Sequence, residues 1–243
     1  MTDTKHTKKT YDKYAKDYHA KITDPKDIWH KFIEKKVMLN LIKGFVKNKK
    51  VLDLGCGSGI VSKKIASFEG KVKGIDLSPE LIKIAKKENP KFDFYVGDVR
   101  KTPFKKNEFD VVYSSLVAHY IKDLNQLFKE VKRILKKGGV YAFSIHHPLM
   151  EVSKRTKING RKKIILKPYF NNDKYKWKLA NKMQMVSYHH TFENIFELLR
   201  KNDFVVERLL EPVPSKEAKK INPRRYKRAI TRPSFLIIKA RKK

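Results

Sequence analysis

The chain is poor in the residues that staple or anchor a protein. Its 243 residues include one cysteine, Cys56, so an intrachain disulfide is excluded. Such usage suits a reducing compartment and sets the expectation of a cytoplasmic protein. No apolar run approaches the ~20 residues that cross a bilayer, and the opening MTDTKHTKKT has no apolar segment of the secretory kind. Internal repeats and low-complexity linkers are absent as well. Acidic residues are scarce, 25 against 58 basic ones, for a formal net charge of +33.

That charge has two readings. One is a polyanionic partner, RNA above all, bound through its phosphates; the other is a lysine-rich solvated surface. Eleven of the basic residues are arginine and 47 are lysine. Phosphate and base recognition favours the planar fork of arginine, and the lysines are spread along the whole chain, which favours the solvated surface. The one dense arginine group, Arg224, Arg225, Arg228 and Arg232, reads either as an anion site or as a solvated loop.

What is present is a regular alternation of apolar runs and amphipathic stretches. Strands are predicted at Lys50–Leu54, Val72–Asp76, Phe92–Val96, Phe109–Ser114, Val140–Ile145, Val205–Leu210 and Phe235–Lys239. Helices are predicted at Ile28–Val46, from Ser78-Pro79-Glu80 onward, at Asp123–Lys137 ending on Gly138-Gly139, and at Thr191–Asn202. This rhythm predicts an α/β fold, a Rossmann-like doubly wound sheet, as a single domain over 1–243. Tyr11, Tyr14 and Tyr18 recur at helical spacing and read as the packed face of an N-terminal helix. Residues 147–190 break the rhythm and read as an aromatic cap inserted after strand five, with Asn171-Asn172 as a hairpin turn between Lys163–Tyr169 and Lys174–Trp177.

The first strand runs into VLDLGCGSG. A dinucleotide fingerprint needs G-x-G-x-x-G, and here the third glycine comes one residue early. Asp53, inside the strand, would repel a pyrophosphate and would accept hydrogen bonds from an ammonium group. Asp76 ends strand two and suits a ribose diol; Asp98 ends strand three and suits an adenine amino group. Three acids at the tips of successive strands point to a nucleoside carrying a cationic amino acid.

These residues, with GIDLSPELIKIAK, VGDVRKTPF, FDVVYSSLVAHYI and LFKEVKRILKKGGVYAFSIHHP, resemble the class I S-adenosylmethionine-dependent methyltransferases, in particular an uncharacterised small-molecule branch of the type 11/25 group. The resemblance covers about residues 10–243 and extends to YDKYAKDYHA near the start. It implies a seven-stranded sheet with its last strand antiparallel, and S-adenosylmethionine as cofactor. It also implies Gly55 and Gly57 close to the methionine part, Asp76 on the ribose, Asp98 near the adenine with Val99 flanking it, and Ser115 beside the sulfonium, with Cys56 and Leu77 completing the cofactor-binding set and residues 1–30 as an N-terminal lid that brings Tyr18 near the cofactor.

Methyl transfer from a sulfonium needs alignment first and a general base only for a weak nucleophile. The catalytic candidates are His119, His146 and His147. Each also has a structural reading, as a helix-start or packed histidine, and successive residues on a strand face opposite ways, so at most one of His146 and His147 enters a pocket. Tyr188, His189 and His190 read as capping residues of the next helix, and Cys56 as a small loop residue rather than a nucleophile. No compact ligand spacing supports a metal. Lys154, Lys162 and Lys163 read either as contacts for an anionic acceptor in the cap or as solvated lysines of a surface hairpin. The expected function is methyl transfer to a small-molecule acceptor. The alternatives are an RNA methyltransferase, supported by charge alone, and a non-catalytic cofactor-binding regulator or partner subunit.

Overall fold

The computed structural model describes residues 3–27, 29–171, 174–179 and 183–243, the side chains of Asp3, Arg155 and Lys162 excepted. Two short helices open the chain, α1 (Asp3–Lys13) and α2 (Ala15–Thr23), followed by a single π-turn, His30–Glu34, that runs into α3 (Lys35–Ile42). The helix predicted from Ile28 to Val46 is thus three pieces, a π-turn, α3 and a 3₁₀ turn at Lys43–Phe45, and Ile28 lies outside the described residues.

Alternation then sets in: β1 (Lys50–Leu54), α4 (Ile60–Ala66), β2 (Lys71–Asp76), α5 (Pro79–Glu88), β3 (Asp93–Val96), β4 (Phe109–Ser115), α6 (Leu124–Ile134) and β5 (Leu135–His146). After β5 come α7 (Pro148–Val152) and four short strands, β6 (Ser153–Ile158), β7 (Arg161–Leu166), β8 (Lys174–Lys178) and β9 (Gln184–Tyr188). The chain ends with α8 (Phe192–Lys201), β10 (Phe204–Leu210), α9 (Lys216–Ile221), α10 (Pro223–Ala229) and β11 (Phe235–Lys242). The main sheet has seven strands in the order β10-β11-β5-β4-β1-β2-β3. The pairs from β5 to β3 are parallel, and β11 is antiparallel to both of its neighbours. The expected seven-stranded Rossmann-like sheet with an antiparallel last strand is what forms.

Strand alternation sorts the two faces. Leu52 and Leu54 of β1 join Phe128, Val131, Ile195 and Leu199 of α6 and α8 in one core layer. Val51 joins Met38, Ile42, Val61 and Ile65 of α3 and α4 in the other. Burying a Leu or Ile side chain contributes about 1.5–3 kcal/mol, so these layers hold the strand tips where the site is built. The α5 start follows its sequence signature: the Ser78 hydroxyl accepts from the Leu81 amide at 3.2 Å, with Pro79 at the first helical position.

Two expectations need correction. The helix expected to reach Lys137 stops at Ile134, and β5 begins at Leu135. Leu135 pairs with Phe109, then the register shifts before Val140 pairs with Val111; Gly138, with φ of +72°, turns the chain inside that bulge. Sheet pairing overrides the helical propensity of Leu-Lys-Lys here. The hairpin expected around Asn171-Asn172 is also displaced. Lys163 pairs with Thr156, and Lys174 pairs with Tyr188, so the two segments belong to different ribbons. The turn between β6 and β7 is Asn159-Gly160, both at positive φ (48° and 73°), the Asn-Gly signature of a two-residue hairpin. Asn172 lies outside the described residues.

Candidate functional site

The loop after β1 folds back over the tip of β2. The amides of Gly55 and Cys56 both donate to the Ile75 carbonyl, at 2.8 and 3.0 Å. Gly55 has a φ of +80°, and a Cβ added there would sit 2.2 Å from Val117 Cγ2. Glycine is therefore required both for conformation and for space. The next amide, Gly57, donates to Asp76 Oδ2 at 2.8 Å, while the Ser78 amide donates to Asp76 Oδ1 at 2.9 Å. In a dinucleotide site the loop amides hold phosphate; here the Gly57 amide is committed to a carboxylate, which disfavours a diphosphate.

Two chambers meet at Gly55. The larger cleft, about 580 Å³, has Asp76 and Asp98 at its polar positions and Leu77, Val99, Val117 and Ile121 among its apolar walls. The smaller, about 360 Å³, is bounded by Tyr18, Lys35, Asp53, Gly57 and Ser115. The three strand-tip acids therefore divide, two in one chamber and one in the other. Asp53 is 2 % exposed and faces α4, where the Ser62 hydroxyl donates to it at 2.6 Å. Burial pushes Asp53 up to about 7, against the lowering effect of Ser62. Burial likewise raises Asp76 against hydrogen bonds from the Ser78, Gly57 and Leu77 amides. Burial also acts upward on Asp98, but its ion pair with Arg100 at 2.7 Å outweighs it and holds the group low.

A third group of residues closes the site. The Ser78 hydroxyl donates to Asp12 of α1 at 2.6 Å, and Tyr11 and Tyr120 hydroxyls share a hydrogen bond at 2.9 Å. Tyr11, Tyr14, Tyr18, Tyr120 and Trp177 pack together with Met183 and Met185 of the cap segment. Tyr18 lies over the loop, its Cε1 3.6 Å from where a Cβ on Gly57 would be.

The remaining sequence candidates separate. Cys56 is buried beside Ile82, Ala85 and Phe94, and burial raises its thiol well above the ordinary range, so it packs. The Ser115 hydroxyl is turned away to Glu34, donating at 2.8 Å. His147 caps α7 with one ring nitrogen and pairs with Glu211 through the other at 2.6 Å. His189 pairs with Glu151 at 2.7 Å and His190 with the Ile121 carbonyl at 2.9 Å. Among the described residues, no group of three His, Cys, Asp or Glu side chains is placed to hold a metal.

Three contributors escaped sequence reasoning. Lys35 lines the smaller chamber, with burial lowering its pKa. Glu34 is fully buried at the end of the π-turn; its Oε1 accepts from Ser115 and Ser144, while Oε2 has no partner among the described residues. Asp27 and His30 form a pair at 2.5 Å. The signal for Glu34 and Lys35 was a charged triplet, Glu34-Lys35-Lys36, inside an apolar helical pattern.

The comparisons with known proteins agree with this geometry. Residues 52–143 match the family described as methyltransferase domain. An uncharacterized protein from Haemophilus influenzae is 30% identical over 227 residues, covering 88% of each chain. A malonyl-[acyl-carrier protein] O-methyltransferase from Legionella pneumophila is 29% identical over 153 residues, which is 61% of this chain and 52% of that relative, so the match spans about half its length. Among solved structures, an S-adenosylmethionine-dependent methyltransferase from Mesorhizobium loti superimposes with a TM-score of 0.71 at 27% identity, covering 81% of this chain and 92% of its own. The chain belongs to the class I S-adenosylmethionine-dependent methyltransferases, and S-adenosylmethionine is its cofactor.

The residues present fit that cofactor. A nucleoside with an amino-acid tail needs two compartments and a Cβ-free crossing between them, and Gly55 is where the two chambers join.

Proposed function

We propose that the protein methylates a small-molecule acceptor held under the cap. The observation that carries this reading is the aromatic cluster beside the glycine loop. Tyr18 lies over the loop, and Tyr11, Tyr18, Tyr120 and Trp177 pack with Met183 and Met185, which supports apolar walls for a compact acceptor.

When bound, the cofactor supplies a methyl group already activated by positively charged sulfur. The chain's own residues have four tasks. Asp76 accepts hydrogen bonds from the ribose and Asp98 from the adenine amino group, with Leu77 and Val99 as apolar neighbours. Asp53 faces the ammonium group and Lys35 the carboxylate of the amino-acid end. Glu34, fully buried, accepts from the Ser115 hydroxyl and holds that side chain at the edge of the smaller chamber. The α1–α2 lid, tied down through Asp12 and Tyr11, excludes water and aligns donor with acceptor, which is the largest service an enzyme renders this displacement.

The test has two parts. Calorimetry with S-adenosylhomocysteine should show binding by the parent, weakened ~100-fold in Asp76→Ala, as expected for losing charge-assisted hydrogen bonds of about 1.5–3 kcal/mol each. A cell extract incubated with methyl-labelled cofactor should place label in the metabolite fraction; label confined to RNA would transfer the reading to a nucleic-acid acceptor.

A further inference from the structure

Three histidines stand at the carboxyl edge of the sheet as candidate bases, and their surroundings are unequal. Both nitrogens of His147 are engaged, with the Leu149 amide and with Glu211. His119 is 0 % exposed with neither ring nitrogen partnered among the described residues, so no described residue takes a proton onward from it. His146 differs from both. It shares strand parity with Ala142 and Ser144, which puts it on the sheet face that carries α3 and the π-turn. Its ring stacks on His119 at 3.9 Å and meets the edge of Trp177 at 4.6 Å.

A chain of hydrogen bonds leads away from it into the cap. His146 Nδ1 lies 2.9 Å from the Tyr175 hydroxyl, and Tyr175 lies 3.0 Å from Glu151 Oε1. Glu151 Oε2 lies 2.7 Å from His189 Nδ1, and His189 Nε2 lies 2.8 Å from the Tyr169 carbonyl. The direction follows from the far end. A carbonyl only accepts, so His189 Nε2 carries a hydrogen. Whether the next proton sits on His189 Nδ1 or on Glu151 Oε2, Glu151 Oε1 remains an acceptor. The Tyr175 hydroxyl therefore donates to Glu151, and its oxygen accepts from His146 Nδ1–H. That fixes the tautomer of His146, with the lone pair on Nε2, a nitrogen that takes no hydrogen bond from any described residue.

We propose that His146 Nε2 is the general base of the transfer and that Tyr175, Glu151 and His189 position it and carry the proton onward. The acceptor is then a nucleophile that bears a proton, a hydroxyl or an amine N–H. This rests on the small-molecule reading above for the identity of the acceptor, and on geometry alone for the relay. As the new bond forms between the acceptor atom and the methyl carbon, the carbon–sulfur bond breaks with its electron pair left on sulfur. The acceptor's proton passes to His146 Nε2, the Nδ1 proton to Tyr175 and the Tyr175 proton to Glu151. His146 ends as the neutral Nε2–H tautomer, resets by exchange with water, and the proton leaves from the Glu151–His189 pair.

The electrostatics suit a relay better than a lone base. Burial, aided by His30, pulls His146 down to about 3, so an imidazolium is disfavoured and the proton is passed on. Burial pushes Glu151 up to about 7, against hydrogen bonds from His189, Tyr175 and the His190 amide. The groups facing His146 are His119, Tyr175, Trp177, Phe235 and, from the π-turn, His30. The groups facing Glu151 are His189, Tyr175 and Tyr169. The carboxylate form of Glu151 is the competent one, so transfer rises as pH rises through about 7.

The test combines nitrogen NMR with the labelled-extract assay on the full chain, scored in metabolite, RNA and protein fractions. The parent should show His146 as the Nδ1–H tautomer, and Tyr175→Phe should mix the two tautomers. Tyr175→Phe should also lower incorporation ~10- to 100-fold, the range of a general base, with S-adenosylhomocysteine affinity unchanged within about twofold. Glu151→Gln should remove the limb near pH 7. An Nε2–H tautomer in the parent overturns the proposal, as does full activity with an unaltered pH profile in both variants. Label in RNA or protein instead of metabolites sinks the small-molecule reading alone, because the variant ratios are then read in that fraction. Absence of label everywhere overturns both.

Discussion

The glycine loop and the cap border the same space and are built in opposite ways. The loop is held by its own backbone: Gly55 and Cys56 amides on the Ile75 carbonyl, the Gly57 amide on Asp76. Its partners lie on the next strand, and its shape follows from where glycine is required. The cap is held by side chains that meet from separate segments. Tyr175 joins His146, Glu151 joins His189, and Trp177 Nε1 donates to Ser187 at 2.8 Å. A site held by backbone tolerates side-chain change but not a change of conformation. A site held by side chains responds the other way. The division suits an enzyme whose cofactor is common to a family and whose acceptor is particular.

Three substitutions sharpen that contrast. The largest effect belongs to the loop. Gly55→Ala forces a side chain into left-handed backbone, about 1–2 kcal/mol, and against Val117 at 2.2 Å, a further 1–3 kcal/mol or so of overpacking. Urea unfolding should show a loss of about 3 kcal/mol, together with loss of S-adenosylhomocysteine binding; a stable variant that binds normally would break the comparison. Trp177→Ala, in the cap, should leave cofactor affinity within about twofold and reduce labelled-methyl incorporation ~10-fold, through lost positioning of the acceptor. If affinity and incorporation instead fell together, the cap would belong to the cofactor site and the two regions would not be separable.

The smallest readout concerns protons. Asp53 is raised from its ordinary value to about 7. The folded state therefore binds more protons than the unfolded state between about pH 4 and 7, and stability from this group falls as pH rises through that window. Asp27 has the opposite sign: burial acts upward on it, but His30 and Lys21 outweigh burial and hold it at about 2. Its contribution is present above the unfolded value and is lost as pH falls toward about 2. The stability difference between the parent and Asp53→Asn, from urea unfolding at pH 4 to 8, should fall as pH rises through the Asp53 window. An ammonium group brought against Asp53 favours its charged form. Calorimetry near pH 7 in buffers of different ionisation enthalpy should then detect release of a fraction of a proton on S-adenosylhomocysteine binding. Equal release by Asp53→Asn would remove Asp53 from the amino-acid end.

Legibility in the sequence followed the range of the interactions. The β1 span, the Ser78 cap of α5 and the three strand-tip acids were readable because each depends on neighbours in sequence or on strand order. The Asn159-Gly160 turn was legible too, since the Asn-Gly pair carries stronger turn chemistry than Asn171-Asn172. The early end of α6 was not readable, since Leu135 leaves the helix to pair with Phe109, a contact that local propensity does not contain.

By itself the sequence determined the doubly wound sheet, the need for glycine at the crossing and a cofactor that is cationic rather than diphosphate-bearing. All three follow from periodicity, backbone freedom and the sign of charge. Which histidine has a proton path, how the acids divide between two chambers and where Glu34 and Lys35 enter were decided by the tertiary structure. Hydrogen-bond direction and burial exist only once residues distant in the chain are brought within 3 Å of one another, as His146 and Tyr175 are at 2.9 Å.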